Sequence, residues 1–381
     1  MRFTPLALRN ARRFALAAAL CVPAGVALGP ALAATPPPAP PAAKVVARPT
    51  AAPMDATALL RASIAAPRTV SYVGQLETLA FGSNRSNATI VRVEHRAPDR
   101  TRRWYLAPES LYGDYIVTSG NATYQFDTKH ARMTVSHEAP PESAIGSDGN
   151  RLDLAMSNYR AVGAGAEIIA SRPTQSVVLI NRFTGERAER IWIDDETHLV
   201  LKKEAYHASG AVASQTRFEE LRYTAQIPDD VFATAAPSGY ATAQRPDVEM
   251  PSSDLQHVLK DAGFAVQTPR DLPQGFKLIG GDVATVPAAA GAKAGDVRSL
   301  HLVYSDGLRS LSLFENATGA AADFGSLHPK TTHFEDHDAE YVEDGPTTLL
   351  TWKEHGIHFA LVGDLQRAEL VQIGKSVIPG L

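Results

Sequence analysis

Short runs of alternating apolar and polar residues cover the chain from residue 69 to residue 138. A period of two is typical of strands that bury one face and expose the other. Glycine, asparagine, proline or aspartate separates the runs, so the pattern predicts consecutive hairpins in an antiparallel sheet. The predicted strands are TVSYVGQLETLAF (69–81), NATIVRVEHRA (87–97), TRRWYLA (101–107), GDYIVTSG (113–120), NATYQFDT (121–128) and ARMTVSHE (131–138).

Two stretches depart from this period. Residues 54–66 carry Asp55 as a candidate N-cap and place Leu59, Leu60 and Ile64 at helical spacing. Residues 151–170 are helix-like and interrupt the strands. More strands are predicted over 175–182, 187–195, 199–208 and 212–224. Strands and helices in this order predict an α+β domain, in which a curved antiparallel sheet is wrapped against helices.

A second, smaller α+β domain follows a stretch rich in proline, alanine, serine and glycine. We place the first domain at 54–237, the linker at 238–252 and the second domain at 253–381. The pattern of the second domain predicts helices at 252–263 and 365–377, with strands at 275–286, 297–305, 308–316, 347–354 and 357–364.

Residues 1–33 have the pattern of a secretory signal peptide. Four arginines precede an apolar run from Phe14 to Leu28, and Ala31-Leu32-Ala33 provides the small residues of a cleavage site. We expect cleavage before Ala34, and residues 34–53, rich in proline and alanine, form an extended tether. The one cysteine, Cys21, falls in the signal, so the mature chain has no thiol for a disulfide, a metal site or catalysis.

Charge and hydropathy exclude two further classes of protein. Without the four signal arginines, 33 of the 37 basic residues remain against 41 acidic ones, a net charge of −8. A mildly acidic chain is a poor match for a nucleic-acid binder, which needs a concentrated positive surface. No later stretch approaches the 18 apolar residues of a membrane span, so the mature chain is not expected to cross a membrane.

The histidines of the second domain raise the question of a metal site. His333 and His337 are four residues apart, a spacing that binds zinc on a helix, and His328 lies nearby. The segment contains Pro329 and many acids but no apolar stripe, so it is typical of an exposed loop. We predict no metal site and no cofactor, although the sequence leaves metal binding by this loop open.

Ser305 and Asp306, with His301 four residues before the serine, raise the question of a hydrolytic site. The sequence contains no G-x-S-x-G elbow, Walker loop or complete dinucleotide fingerprint, so no catalytic residue is predicted. Residues alternate on both sides of Asp306-Gly307, which predicts a hairpin turn there. We expect Gly307→Ala to damage folding and Ser305→Ala to be nearly silent.

The strand alternation also predicts a candidate ligand site. A curved antiparallel sheet either packs entirely onto its helices or leaves an apolar cavity that suits an acyl chain. The candidate lipid-binding residues are Tyr72, Leu76, Val91, Val93, Trp104, Leu106, Tyr124 and Phe126. The arginine cluster Arg96, Arg100, Arg102 and Arg103 around Trp104 is more simply an outward face than a site for anionic head groups.

Several motifs together resemble a known family. VSYVGQLETL, RVEHRAPDRTRRWYL, the hairpin RIWIDDETHLVLKKEAYHASGAV and IPDDVF are similar to the LolA-like half-barrel of lipoprotein carriers. LPQGFKLIGG, HLVYSDGLRSLSLFENA and LTWKEHGIHFALVGDLQRAELVQIGKSV resemble the C-terminal domain of the RseB/MucB family. The resemblance spans residues 55–381 and departs from the family at VGDLQRAEL, where family members tend to have Glu-Val-Pro.

The resemblance implies a periplasmic regulator of the sigma-E envelope stress response, not an enzyme. Such a protein binds the periplasmic domain of a membrane-spanning anti-sigma factor, shields it from proteolysis and releases it on a lipid or lipoprotein signal. The alternative is a periplasmic lipid or lipoprotein carrier of LolA type. An envelope hydrolase is disfavoured because a nucleophile motif is missing, and the oligomeric state, including a homodimer, stays open.

Overall fold

The computed structural model describes residues 55–81, 86–137, 149–244, 252–286, 297–316, 324, 328–334, 337–344 and 347–379. The predicted signal peptide (1–33) and tether (34–53) lie outside these residues. Two large, mostly antiparallel sheets, one small two-stranded sheet and a few helices make up the described chain, which confirms the predicted α+β class.

Twelve strands form the first sheet among the described residues. They are β1 (Tyr72–Phe81), β2 (Ser86–Arg96), β3 (Arg100–Ala107), β4 (Tyr115–Ser119), β5 (Ala122–Asp127), β6 (Arg132–Ser136), β7 (Tyr159–Ile169), β8 (Arg172–Asn181), β9 (Arg187–Asp194), β10 (Val200–Tyr206), β11 (Val212–Tyr223) and β12 (Ala241–Gln244). The order across the sheet is β12-β6-β5-β4-β3-β2-β1-β11-β10-β9-β8-β7. Pairing of β1 with β11 therefore joins two runs of consecutive hairpins into one sheet.

Helices α1 (Ala56–Ala65) and α2 (Gly149–Asn158) pack on one face of this sheet. The Asp55 carboxylate caps α1 by accepting the N–H groups of Thr57 and Ala58 at 3.1 and 3.2 Å, as predicted. Leu60 and Ala155 from the two helices pack in one apolar cluster with residues of β8 and β9. Among the described residues, no helix is long and apolar enough to cross a membrane.

We call the face that carries α1 and α2 the inner face and the opposite one the outer face. Paired residues of adjacent strands lie on the same face of a sheet. The inner face therefore continues from β9 to β2 through the cross-strand partners Ile191, Lys203, Thr216, Thr78 and Thr89. Val91 and Val93, which alternate with Thr89 along β2, lie on the inner face as well.

The helix predicted over 151–170 is only half correct. Helix α2 ends at Asn158, and the remainder of the stretch is β7, which pairs with β8 at the edge of the sheet. Gly163 and Gly165 disfavour a helix, and Gly165 has φ +91° at the irregularity between Gly163 and Ala166. The long ladder with β8 outweighs the weak helical pattern.

Part of the predicted linker, 238–252, is also structured. Strand β12 runs parallel to β6 at the other edge of the first sheet. Ser252 forms an isolated bridge with Gly281 of the second domain. All four residues of the short strand β12 are exposed, so the alternation of apolar and polar residues does not predict it.

The second domain is built on a seven-stranded antiparallel sheet. Its strands are β14 (Lys277–Val286), β15 (Val297–Ser305), β16 (Ser310–Asn316), β17 (Lys330–Phe334), β18 (His337–Asp344), β19 (Thr347–Glu354) and β20 (Ile357–Gly363), in the order β14-β15-β16-β20-β19-β18-β17. Helices α3 (Leu255–Asp261) and α4 (Arg367–Lys375) and a small sheet of β13 (Gln267–Pro269) and β21 (Val377–Pro379) complete it. Leu302, Leu361, Trp352 and Leu370 belong to its core.

A buried carboxyl group lies in this second core. Glu315 is fully buried, and its two carboxylate oxygens accept the backbone N–H of Gln267 at 3.1 and 3.0 Å. Burial raises the pKa of Glu315 to about 8, although the Gln267 N–H acts in the opposite direction. The carboxyl group thus ties β13 to the large sheet at a cost that depends on pH.

Candidate functional site

Four of the eight candidate lipid-binding residues lie on the inner face. Val91 and Val93 are buried, and Leu76 lies opposite Val91 in the β1–β2 ladder. Tyr72 meets Phe218 edge to face, with ring centroids 5.5 Å apart. Tyr72 and Leu76 are partly buried and pack against the apolar cluster of Leu199, Leu201 and Phe218.

The other candidates lie on the outer face. Arg92, not Val93, is the cross-strand partner of Trp104, so Trp104 projects away from the helices. Phe126 is fully buried there, and Tyr124 packs against the same outer cluster together with Phe232. Leu106 lies at the irregularity of the β2–β3 ladder and is 37% exposed.

The eight residues therefore do not line one cavity. The spacing within each strand is as predicted, but the registers between strands divide the set between two faces. Of the eight candidates, Tyr72, Leu76, Val91 and Val93 share the inner face. The set remains a prediction in this reduced form.

An aromatic stack on the outer face was not anticipated. Tyr115 stacks on Trp104 with centroids 5.5 Å apart and on Phe126 at 4.2 Å. The Arg102 guanidinium lies 4.7 Å from the centroid of Trp104 and 4.9 Å from that of Tyr115. Burial raises the pKa of Tyr115. The charged Arg102 side chain thus covers the apolar surface of the aromatic stack, as expected of an outward face.

The arginine cluster is largely engaged within the domain. Arg96 and Arg100 both bind the carboxylate of Asp229, the latter at 3.0 Å. Arg102 lies 4.0 Å from Glu94. These contacts support the simpler interpretation of Arg96, Arg100 and Arg102 as a covered outer surface, whereas Arg103 pairs with Val93 and lies on the inner face.

The histidine segment is a pair of strands instead of the predicted loop. Cross-strand partners are His333 with Asp338 and Phe334 with His337, so the two histidines project from opposite faces. His333 lies 2.6 Å from Asp338, and His337 lies 3.3 Å from Glu354. Within the described ranges, no three histidine or acidic residues are grouped as metal ligands.

His301 is part of a buried row that does not include Ser305. Its Nδ1 lies 3.0 Å from Oδ2 of Asp282, and its Nε2 lies 2.9 Å from Oγ of Ser312. The order of carboxylate, imidazole and hydroxyl is that of a serine hydrolase. Ser312, however, is 4% exposed inside β16, between β15 and β20, whereas a nucleophilic serine is exposed on a strained turn. The row orders the interior of the sheet.

The turn predicted at Asp306-Gly307 is present. The β15–β16 ladder ends at the pair Ser305–Ser310, and Gly307 has φ +99°. Ser305 is fully buried; its Oγ donates to the carbonyl of Arg309 at 2.8 Å and accepts the N–H of Gly307 at 2.9 Å. Because the hydroxyl closes the turn, we now expect Ser305→Ala to be destabilising and not nearly silent.

This turn is also the point where the two domains meet. Asp306 is 1% exposed, and its Oδ2 accepts the hydroxyl of Tyr159 at 2.6 Å. Asn158 Nδ2 donates to the carbonyl of Asp306 at 2.9 Å and to that of Gly275 at 3.0 Å. Burial, followed by the negative charge of Asp306, raises the pKa of Tyr159 and keeps the phenol protonated as a donor.

A second group of charges lies at the same junction. Burial raises the pKa of Asp364, whereas its hydrogen bond from Thr347 and the positive charges of Lys203 and Arg309 lower it. Lys203 comes from the inner face of the first domain, where it lies 2.7 Å from Glu189. The junction is therefore polar and charged at its border.

Comparison with known proteins identifies this architecture. Residues 55–236 match the model of the MucB/RseB N-terminal domain. The first domain of this chain belongs to the MucB/RseB family. The crystal structure of MucB in complex with MucA(peri) and the complex structure of Pseudomonas aeruginosa MucA/MucB both match at 17% identity and a TM-score of 0.56. In each case the match covers 86% of this chain and 100% of the matched chain.

Two further proteins are also similar to this chain. An uncharacterised protein of Methanocaldococcus jannaschii is 20% identical over 321 residues, which are 81% of this chain and 85% of that protein. A LolA superfamily protein of Nitrosomonas europaea is 12% identical, with a TM-score of 0.26, over 48% of this chain and 98% of its own.

Proposed function

We propose that this MucB/RseB-family protein is a periplasmic negative regulator of the envelope stress response. It binds the periplasmic domain of a membrane-spanning anti-sigma factor and protects that domain from proteolysis. The observation that carries the proposal is the match in fold, over a share of the chain that exceeds the N-terminal domain, to MucB chains crystallised with MucA. The predicted signal peptide supports the periplasmic location.

The proposed role is binding without catalysis. The one arrangement among the described residues that has the order of a catalytic relay, Asp282, His301 and Ser312, is buried within a sheet. A regulator of this kind needs two folded domains and a contact surface for a peptide, and it needs no nucleophile.

Lipid sensing is assigned to the inner face of the first domain. Tyr72 and Leu76 are partly buried there beside Phe218, and Val91 and Val93 continue the apolar surface. Contact with these residues shields an acyl chain from water, which favours binding by roughly 25 cal/mol per Å² of apolar area buried. Phe126, on the outer face, is excluded from this role because it is fully buried in the outer cluster.

A pull-down of the native, tagged protein from envelope extracts tests the proposal. We expect an anti-sigma factor to be recovered and to be displaced by an added lipid or lipoprotein. Repeated recovery of none, with the bait folded and abundant, would contradict it. Transfer of lipid between membranes without any effect on stress signalling would instead support the carrier alternative.

A further inference from the structure

The turn between β15 and β16 is held in shape by hydrogen bonds within the second domain. We call residues 305–309 the hairpin tip. The Asp306 carboxylate accepts the N–H groups of Leu308 and Arg309 at 3.0 and 2.8 Å, and Arg309 Nε at 3.1 Å. Ser305 closes the same turn from within. The hairpin tip thus takes its shape from bonds inside the second domain and needs no support from the first.

In the first domain, the hairpin tip contacts the end of α2. Asn158, the last residue of α2, and Tyr159, the first of β7, donate the three hydrogen bonds that cross the junction through the hairpin tip and its neighbour Gly275. Gly307 lies directly against the backbone of Ala155, where a Cβ atom would be 2.3 Å from its nitrogen. Fit at this distance is possible only for glycine.

The hairpin tip also completes the apolar interior of the first domain. Leu308 packs against the inner-face cluster that includes Leu60, Ala155 and Tyr159. Separation of the domains would expose the apolar surface around Tyr159. The inner face is therefore closed at this end by a side chain that belongs to the other domain.

The hydrogen bonds between the hairpin tip and the end of α2 favour a reversible contact over a permanent one. Permanent interfaces are large and apolar, whereas domains joined through polar contacts move relative to one another by default. Here the contact is centred on a buried carboxylate, which contributes specificity more than stability. On separation Asp306 keeps its bonds to Leu308 and Arg309 and regains water, so opening leaves no buried charge unpaired.

We propose that the hairpin tip is a releasable latch, which holds the second domain closed on α2 and, when it opens, uncovers the apolar surface around Leu60, Ala155 and Tyr159 on the inner face of the first domain. The device adds a conformational step to the binding role proposed above and does not depend on the identity of the partner. Each hydrogen bond across the junction favours the closed form by about fivefold. Removal of three such bonds therefore lowers the ratio of closed to open molecules by roughly 100-fold.

The double variant Asn158→Ala/Tyr159→Phe tests the latch, because it removes those three bonds and leaves the turn itself intact. Its matched control is Tyr206→Phe, since the Tyr206 hydroxyl binds Glu204 within the first domain. The measurements are small-angle scattering and the fluorescence of 1-anilinonaphthalene-8-sulfonate. We expect a larger radius of gyration and severalfold higher dye fluorescence for the double variant, and values of the unmodified protein for the control.

Unchanged scattering and dye binding in a double variant with native circular dichroism would overturn the latch. If that variant does not fold, Leu308→Ala replaces it, because the substitution lies on the hairpin tip and removes only the contact with the inner-face cluster. We expect the same two changes in smaller measure. A folded Leu308→Ala protein with both signals unchanged would also overturn the proposal.

Discussion

The substitution Gly307→Ala separates two roles of one glycine. Gly307 has φ +99°, a backbone conformation in which an alanine is strained. An added Cβ would also lie 2.3 Å from N and 2.6 Å from Cα of Ala155, distances at which backbone must move. Gly356 in the β19–β20 turn is the matched control, because it has φ +84° and no atom within 4 Å of an added Cβ.

The expected magnitudes follow from these distances. Gly356→Ala should lower the free energy of unfolding through backbone strain alone, by about 1–3 kcal/mol. Gly307→Ala has the same strain and also forces α2 away from the hairpin tip, which removes three hydrogen bonds that contribute about 1 kcal/mol each. We therefore expect Gly307→Ala to lose roughly 3 kcal/mol more than Gly356→Ala.

Urea denaturation followed by tryptophan fluorescence measures both losses. Trp192 reports on the first domain and Trp352 on the second. Only Gly307→Ala should also increase the radius of gyration before unfolding. Equal losses for the two variants, with unchanged scattering, would refute the assignment of Gly307 to the domain contact.

Two further substitutions test the second domain. Ser305→Ala should lower the free energy of unfolding by about 1–3 kcal/mol, because a buried N–H of Gly307 loses its acceptor; a loss below 0.5 kcal/mol on the urea scale, roughly the error of such data, would contradict this. Burial raises the pKa of Glu315 to about 8 from an ordinary value of 4.5, so the folded chain binds more protons between these values and stability falls as pH rises through this window. Burial also raises the pKa of Asp364, with the same sign. Glu315→Gln should reduce this fall, by at most roughly 5 kcal/mol, in melting temperatures measured from pH 5 to 9, and an unchanged slope would count against it.

Most strands of both domains are predictable from alternation, because each buries one face and is bounded by turn residues. The misassigned stretch is 151–170, where α2 passes directly into β7 without a turn residue between Asn158 and Tyr159. Strands β17 and β18 escape prediction for another reason. Their sequences are rich in histidine and acids. They belong to the sheet because β18 pairs with β19 and β17 pairs with β18.

The division of the candidate lipid site shows a limit of single-strand patterns. Alternation places Val91 with Val93 and Trp104 with Leu106, but it cannot relate one strand to the next. The ladder between β2 and β3 contains an irregularity after Ile90, and its register sets Trp104 opposite Arg92. A shift of one residue exchanges the two faces. The face of each strand thus depends on turns and bulges that a single sequence does not reveal.

The hairpin tip shows a different limit. Asp306-Gly307 is a strong turn signal, and the turn is where it was predicted. The partner of the turn, the end of α2, lies about 150 residues earlier in the sequence, and only the folded chain brings it to Asp306. Local pattern predicts the shape of the tip, and tertiary structure determines what the tip contacts.

The central claim is that this protein, whose first domain is a MucB/RseB N-terminal domain, binds the periplasmic domain of an anti-sigma factor. Calorimetric titration of the two-domain protein with that domain, taken from the same genome, tests it most directly. The account predicts saturable binding at a fixed stoichiometry with a Kd of about 1 µM or tighter, near −8 kcal/mol. Absence of binding at concentrations of about 100 µM, with both proteins folded, would contradict it.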